Sequence, residues 1–298
     1  MTARSPAGPL IDDTLFPPAF LRFLASVDGL VRRARAGADA GARAAGGAGG
    51  AFLFRGHREY RPGDDLRRLD WGVLGRLDRA VVREHEEERD VRTEVLLDGS
   101  ASLRPFGGWP AAARAAALAA AVGLAGGDAR VRLAVLRGDA PTILCEADGP
   151  AGLKELLAAL SAERPAGALD LAAALPALAV RLASRARLVL VTDLLTAAPP
   201  EVLFRIAGRG RRGALLHLRV PEASAPSPGA HWLARDAETG DEREVRFTAD
   251  VAARVAARAQ AHADRWAHAA REAGLAYLPF APTTEPDVLL GRLVRGGP

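Results

Sequence analysis

Residues 91–103 read VRTEVLLDGSASL. An apolar run with β-branched and leucine residues stops abruptly at Asp98 and gives way to Gly99, Ser100, Ala101 and Ser102, a turn-forming set. A short apolar run bounded by turn chemistry predicts a buried strand. The alanine-rich segment from Trp109 predicts the helix that packs on it. In an open parallel sheet, ligands bind at the loops leaving the carboxyl ends of strands. One carboxylate and two hydroxyls there suit a hard, oxygen-preferring cation such as Mg²⁺. The structural alternative is an aspartate and serines that close a strand and cap a helix.

Working outward, the 298 residues are 49% hydrophobic and 26% charged, as expected of globular material. No run reaches the roughly 18 uncharged apolar residues a membrane span needs. Asp12 and Asp13 stand where a signal peptide would be apolar, so the expected location is the cytoplasm. The single Cys145, in TILCE, permits no internal disulfide and reads as a buried, inert thiol. Net charge is +4, but Lys154 is the only lysine and the arginines are interleaved with acids, as in REHEEERD at 83–90. Nucleic-acid surfaces concentrate basic residues and interleave them with aromatics. Here aromatics are only 5%, so no nucleic-acid partner is expected.

Residues 1–17 read as a disordered tail. Phe20, Phe23, Leu24, Val27, Leu30 and Val31 recur at helical spacing and predict an amphipathic helix over 18–36, which must dock on the sheet domain. A Gly/Ala linker over 37–50 completes the first segment. A β-rich element over 51–90 follows, with strands starting at AFLF (51–54) and at Val81-Val82 and turn chemistry at Pro62-Gly63-Asp64. From 91 to 298 strands and helices alternate. Strands are predicted at 131–136, 141–146, 187–193, 214–220 and 275–280. Helices are predicted at 111–126, 151–160, 169–184, 200–207, 250–273 and 285–294. A hairpin is predicted where WLARD and REVRF flank AETGDE, an insertion near 231–247. Such alternation predicts an α/β fold with a mainly parallel sheet and helices on both faces.

The segment 58–102 carries a specific string. Arg58, Tyr60, Gly63, Asp64, Asp65, Arg67, Asp70 and Trp71 are followed by Val82-Arg83-Glu84 and then by Asp98, Ser100 and Ser102. This pattern resembles the bacterial domain-of-unknown-function 58 family, which is grouped with von Willebrand factor A-like domains. The resemblance runs on through VTD at 191–193 and DAETGDE at 236–242. It implies a von Willebrand A-like, Rossmann-like α/β domain preceded by a small β-rich element. It also implies a partner, because members often accompany MoxR-type AAA+ ATPases thought to act as chaperones in complex maturation. Many members have amino-terminal membrane helices, which this sequence lacks. The Glu-Phe pair usual before Arg-x-Tyr is Leu53-Phe54 here, and the approach to it is Gly and Ala. The metal-ion-dependent adhesion site of von Willebrand A-like domains also takes a threonine from a later loop. The matching stretch GALDLAAAL puts Leu169 there. Leucine cannot ligate a cation, so the resemblance implies an incomplete site of Asp98, Ser100, Ser102 and Asp193. Asp170 replaces the missing oxygen only if its side chain turns inward. The expectation is no cofactor, or weakly held Mg²⁺.

No H-E-x-x-H, phosphate loop or G-x-S-x-G elbow occurs. His262 and His268, six apart on one predicted helix, do not share a face well. His217, inside an apolar strand, reads as a hydrogen-bonded core residue. The Arg58–Arg83 segment reads either as a docking surface or as ion pairs that order an irregular loop around Trp71, the latter preferred. The expected function is a non-catalytic adaptor or scaffold acting with the AAA+ ATPase or another protein. The alternative is a metal-dependent hydrolase using the Asp98 loop.

Overall fold

A computed structural model describes residues 11–44, 54–59, 73, 81–85, 92–125, 130–182, 186–207, 212–220, 229 and 231–296. The chain forms two compact units, one of residues 1–32 with 91–298 and one of residues 33–90. Helix α1 is Pro18–Ala44. In the second unit, β1 (Phe54–Glu59) and β2 (Val81–His85) form an antiparallel ribbon, with a register irregularity between Phe54 and Gly56. This is the expected β-rich element. Residues 51–53, where AFLF begins, lie outside the described residues.

In the larger unit the elements follow in chain order as β3 (Thr93–Asp98), α2 (Gly108–Leu124), β4 (Arg130–Arg137) and β5 (Ala140–Asp148). Next come α3 (Gly149–Ala162), α4 (Leu171–Ala179), β6 (Arg187–Thr192), α5 (Leu203–Ala207) and β7 (Gly213–Leu218). The chain closes with β8 (His231–Arg235), β9 (Glu242–Arg246), α6 (Ala249–Glu272), β10 (Leu275–Phe280) and α7 (Pro286–Gly296). Six strands make one sheet in the order β10-β7-β6-β3-β4-β5, parallel throughout except for the β4–β5 hairpin at one edge. This is the doubly wound, Rossmann-like arrangement expected from the alternating pattern. Chain progression reverses between β3 and β6, the place where open sheets of this kind leave a crevice.

The alternation of side chains along β3 accounts for the two helical layers. Val95 and Leu97 face a core shared with α1, α2, α3 and α7, whereas Leu96 faces a second core built with α4, α5 and α6. Helix α2 is buried on nearly every side, and its run of alanines lets it lie close to the sheet. Glu94 is fully buried on β3, and Arg132, its register partner on β4, stands 3.4 Å away. Arg132 also donates from Nε to Glu146 of β5 at 2.9 Å, so charge runs across three strands as a compensated row.

Several sequence expectations need correction. The helix predicted over 18–36 continues to Ala44, through half of the expected linker, since the alanines of 37–44 extend a helix already nucleated despite Gly37 and Gly41. The tail is not disordered over 11–17, where Leu15 and Phe16 are core residues. The Asp12 side chain accepts the amides of Thr14 and Leu15. The Asp12 amide donates to Ser161, and Arg114 of α2 donates to the Leu15 carbonyl at 2.8 Å. These partners are roughly 100 and 150 residues away in sequence, so no local pattern announces them. Helix α4 is shorter than the predicted 169–184: it starts at Leu171, where Asp170 caps it by accepting the Ala173 amide, and ends at Ala179. Cys145 is half-buried on the edge strand rather than buried. Its thiol is pushed up by that burial and by nearby Glu155. As expected, Phe20, Leu24, Val27 and Val31 of α1 join the first core.

Phe16 is fully enclosed and should act as the pin that holds this amino-terminal segment down. Phe16→Ala is expected to cost about 3–5 kcal/mol, as truncation of a buried aromatic does. Thermal unfolding of the full chain measures it. An unchanged midpoint would mean that 11–17 does not belong to the core.

Candidate functional site

Asp98 ends β3 and is almost wholly buried. Its Oδ1 accepts the Ser100 amide at 2.8 Å, closing a tight side-chain turn. Its Oδ2 accepts the Thr192 hydroxyl at 2.7 Å, which ties the end of β3 to the end of β6 across the crevice. The Thr192 oxygen in turn accepts the Leu194 amide at 3.0 Å. Gly99 is required here by close approach, since a Cβ would lie 2.5 Å from Val135. The serines do not cap the next helix. Two short 3₁₀ turns, Ala101–Leu103 and Pro105–Gly107, intervene before α2, and no side-chain cap bond is made at Ser100. Instead the Ser100 and Ser102 hydroxyls share a hydrogen bond at 2.8 Å, and the Ser102 hydroxyl acts to lower the Asp193 carboxyl pKa.

Asp193 follows β6 and is held from several directions. Its Oδ1 accepts the Leu195 amide at 3.0 Å. Its carbonyl lies 3.1 Å from His217 Nε2, and His217 Nδ1 lies 2.6 Å from the Tyr277 hydroxyl. A carbonyl only accepts, so Nε2 carries the proton and Nδ1 accepts from Tyr277. Burial holds the His217 pKa down at about 4, so the ring is neutral. His262 of α6 donates from Nε2 to the Leu194 carbonyl at 2.9 Å. Leu194 is thereby fixed at φ +58°, and Phe106 in the neighbouring loop stands at φ +54°. Non-glycine residues in this region persist where their surroundings over-determine them.

Burial first, and Asp98 second, push Asp193 up to about 6, and burial raises Asp98 as well. A third carboxylate approaches. Glu238, at the tip of the β8–β9 hairpin, is raised by its own partial burial and by Asp236 and Asp98. Asp236 accepts the Glu238 and Thr239 amides and so shapes that tip. Two buried like charges with hydroxyls between them match the donor chemistry of a hard cation, which would relieve their repulsion. Asp98, Asp193, Ser100 and Ser102 are the residues that would hold it, and it would supply a positive contact for an incoming carboxylate. The later loop supplies no further oxygen. Leu169 packs against the second core, and Asp170 is exposed and committed to capping α4. Among the described residues no three His, Cys, Asp or Glu side chains gather as a metal-holding group.

The structure brings Asp98, Ser100, Ser102 and Asp193 to the same loops. Of the Arg/Asp/Trp string, Arg58 and Arg83 lie on β1 and β2, opposite Val82 and His57 respectively. Tyr60, Gly63, Asp64, Asp65, Arg67, Asp70 and Trp71 lie outside the described residues. Sequence reading missed Thr192, although it stands in the same VTD triplet as Asp193, and it missed Glu238, although DAETGDE was in view.

Beside these carboxylates opens a groove of about 830 Å³, bounded by the loops after β3, β6 and β7 and by α6. No helix among the described residues is long and apolar enough to cross a membrane.

Fold and site define a doubly wound α/β domain with an Asp-x-Ser-x-Ser loop at its switch point. The chain belongs to the family described as Protein of unknown function DUF58, whose model matches residues 56–267. Three uncharacterized mycobacterial proteins are similar to it: Mb1516 of Mycobacterium bovis, and MT1527 and Rv1480 of Mycobacterium tuberculosis. Each is 33% identical over 205 residues, which is 66% of this chain and 63% of the relative's length. This chain therefore spans less than two thirds of those relatives. Among solved structures, a conserved hypothetical protein BatB from Bacteroides thetaiotaomicron aligns with TM-score 0.44 and 15% identity, over 69% of this chain and 96% of that one. An aerotolerance-related membrane protein from Bacteroides fragilis aligns with TM-score 0.43 and 16% identity, over 69% and 98%.

The raised Asp193 has a definite consequence for stability. Its folded value of about 6 exceeds the ordinary 3.8, so its contribution is fully present below about pH 4 and is lost as pH rises through 6. Asp193→Asn keeps an acceptor for the Leu195 amide and does not titrate. In a metal chelator, its melting temperature relative to wild type is expected to climb between pH 4 and 6 and to level off above. An offset independent of pH would contradict the paired-carboxylate description.

Proposed function

We propose that the chain is a non-catalytic, von Willebrand A-like adaptor or scaffold that works with a MoxR-type AAA+ ATPase in assembling or maturing a protein complex. The observation that carries this reading is how the candidate nucleophiles are engaged. Ser100 and Ser102 bond each other, while the buried His217 gives its proton to the Asp193 carbonyl and accepts one from Tyr277. Among the described residues no serine is paired with an imidazole, the arrangement nucleophilic catalysis requires. Large apolar side chains stand open next to the same loops, with Phe106 52% and Leu195 64% exposed. Exposed apolar groups grouped beside polar ones are what a protein contact uses. On this reading Mg²⁺ is bound weakly or not at all, no nucleic acid is bound, and the protein acts in the cytoplasm.

The test is co-elution of the full chain with the AAA+ ATPase in ATP. The wild type is expected to co-elute, and Phe106→Ser with Leu195→Ser is expected to remove the complex without changing the melting temperature. Absence of the wild-type complex, together with phosphoester turnover that Asp98→Ala abolishes, would replace this reading with a metal-dependent hydrolase.

A further inference from the structure

The groove beside the switch point has a chemistry of its own. Its walls are apolar where Leu195, Phe106 and Val255 line it, and three guanidinium groups, Arg219, Arg258 and Arg265, stand at its margin. Arg258 and Arg265 are exposed on α6 and have no hydrogen-bonding or ionic partner among the described residues. Among the described residues the Arg219 side chain donates only to the neutral amide oxygen of Gln260, at 3.1 Å. The acids of α6 are otherwise engaged, Asp250 with Arg254, Asp264 with the Gln260 amide and Glu272 with His268. Among the described residues that line the groove, three arginines thus face a single carboxylate, Asp193, in a chain whose net charge is only +4.

We propose that this groove binds an acidic, extended segment of a partner protein, with an apolar side chain seated between two carboxylates. The spacing fits. Arg258 and Arg265 are two helical turns apart, or about 10.5 Å along α6. In an extended chain alternate residues share a face, so residues i and i+4 lie about 13 Å apart on one side, within reach of long arginine side chains. The residue between them on that face then points to the floor at Leu195 and Val255. Guanidinium–carboxylate pairs supply orientation, and the apolar residue supplies most of the buried area. A nucleic-acid strand suits the groove poorly, because among the described residues Phe106 is the one ring other than histidine offered for base stacking. The inference rests on the adaptor reading and specifies what the adaptor recognises.

The experiment uses the full chain and a fluorescein-labelled peptide Gly-Glu-Ser-Leu-Ser-Glu-Gly, read by fluorescence polarisation. The wild type is expected to bind it, more weakly as salt is raised, since exposed charge pairs are screened. Arg258→Glu with Arg265→Glu is expected to weaken binding by about tenfold or more, the equivalent of about 1.4 kcal/mol. Leu195→Ser is expected to weaken it separately, and a peptide with lysine in place of both glutamates should not bind. No binding by the wild type, equal binding by the arginine variant, or full displacement by oligothymidine would overturn the proposal. So would a concentration-dependent dimer abolished by the same arginine variant, which would make a second copy the occupant. The arginine variant is also offered to the AAA+ ATPase. If the wild-type chain binds the ATPase but not the peptide, only the groove assignment fails. If it binds the peptide but not the ATPase, only the ATPase reading fails.

Discussion

The hydrogen bond from Thr192 to Asp98 is the contact on which the functional face depends. It joins the ends of β3 and β6, the two central strands between which the connections turn in opposite directions. Loops that leave such a pair diverge and open a crevice. Without a link across it, the carboxyl ends of the two halves would be held together only by the sheet below. Because both groups are buried, the bond operates where competing water is scarce. The rest follows outward from it. The Asp98 turn sets Ser100 and Ser102, Thr192 sets Leu194, and His217 and His262 secure the carbonyls of Asp193 and Leu194.

The cost of this arrangement is a pair of carboxylates that repel one another in a poorly solvated place. The protein keeps them by surrounding each with donors, and the balance still leaves Asp193 at about 6. A centre of this kind is polar and ordered, and preorganised groups reduce what binding must order. The strained backbone at Leu194 and Phe106 belongs to the same logic, since it fixes the loops that carry the exposed apolar residues.

Most of the larger unit is legible in its sequence because its strands are short apolar runs bounded by turn residues. β10 spans the predicted 275–280 residue for residue, and β4, β6 and β7 fall within about two residues of expectation. The Asp-x-Ser-x-Ser loop is legible for the same reason, as its position after a buried strand is local information. What stayed hidden depends on distant partners. The order of residues 11–17 comes from Ser161 and Arg114. The inward turn of Leu169 comes from the second core, and the influence of Asp98 on Glu238 acts across about 140 residues of sequence. Helix propensity explains the one boundary in α1 that moved, since alanine-rich sequence serves equally as linker or helix until it is nucleated.

If the switch-point face is the proposed recognition surface, binding the proposed AAA+ partner must bury it. Hydrogen–deuterium exchange of the full chain with and without that ATPase in ATP reads this directly. The account predicts added protection over 99–107, over 193–197 and along 255–265, with little change at β5 on the far edge of the sheet. Protection confined to β5 and α3, with the Asp98 and Asp193 loops exchanging as in the free protein, would contradict it.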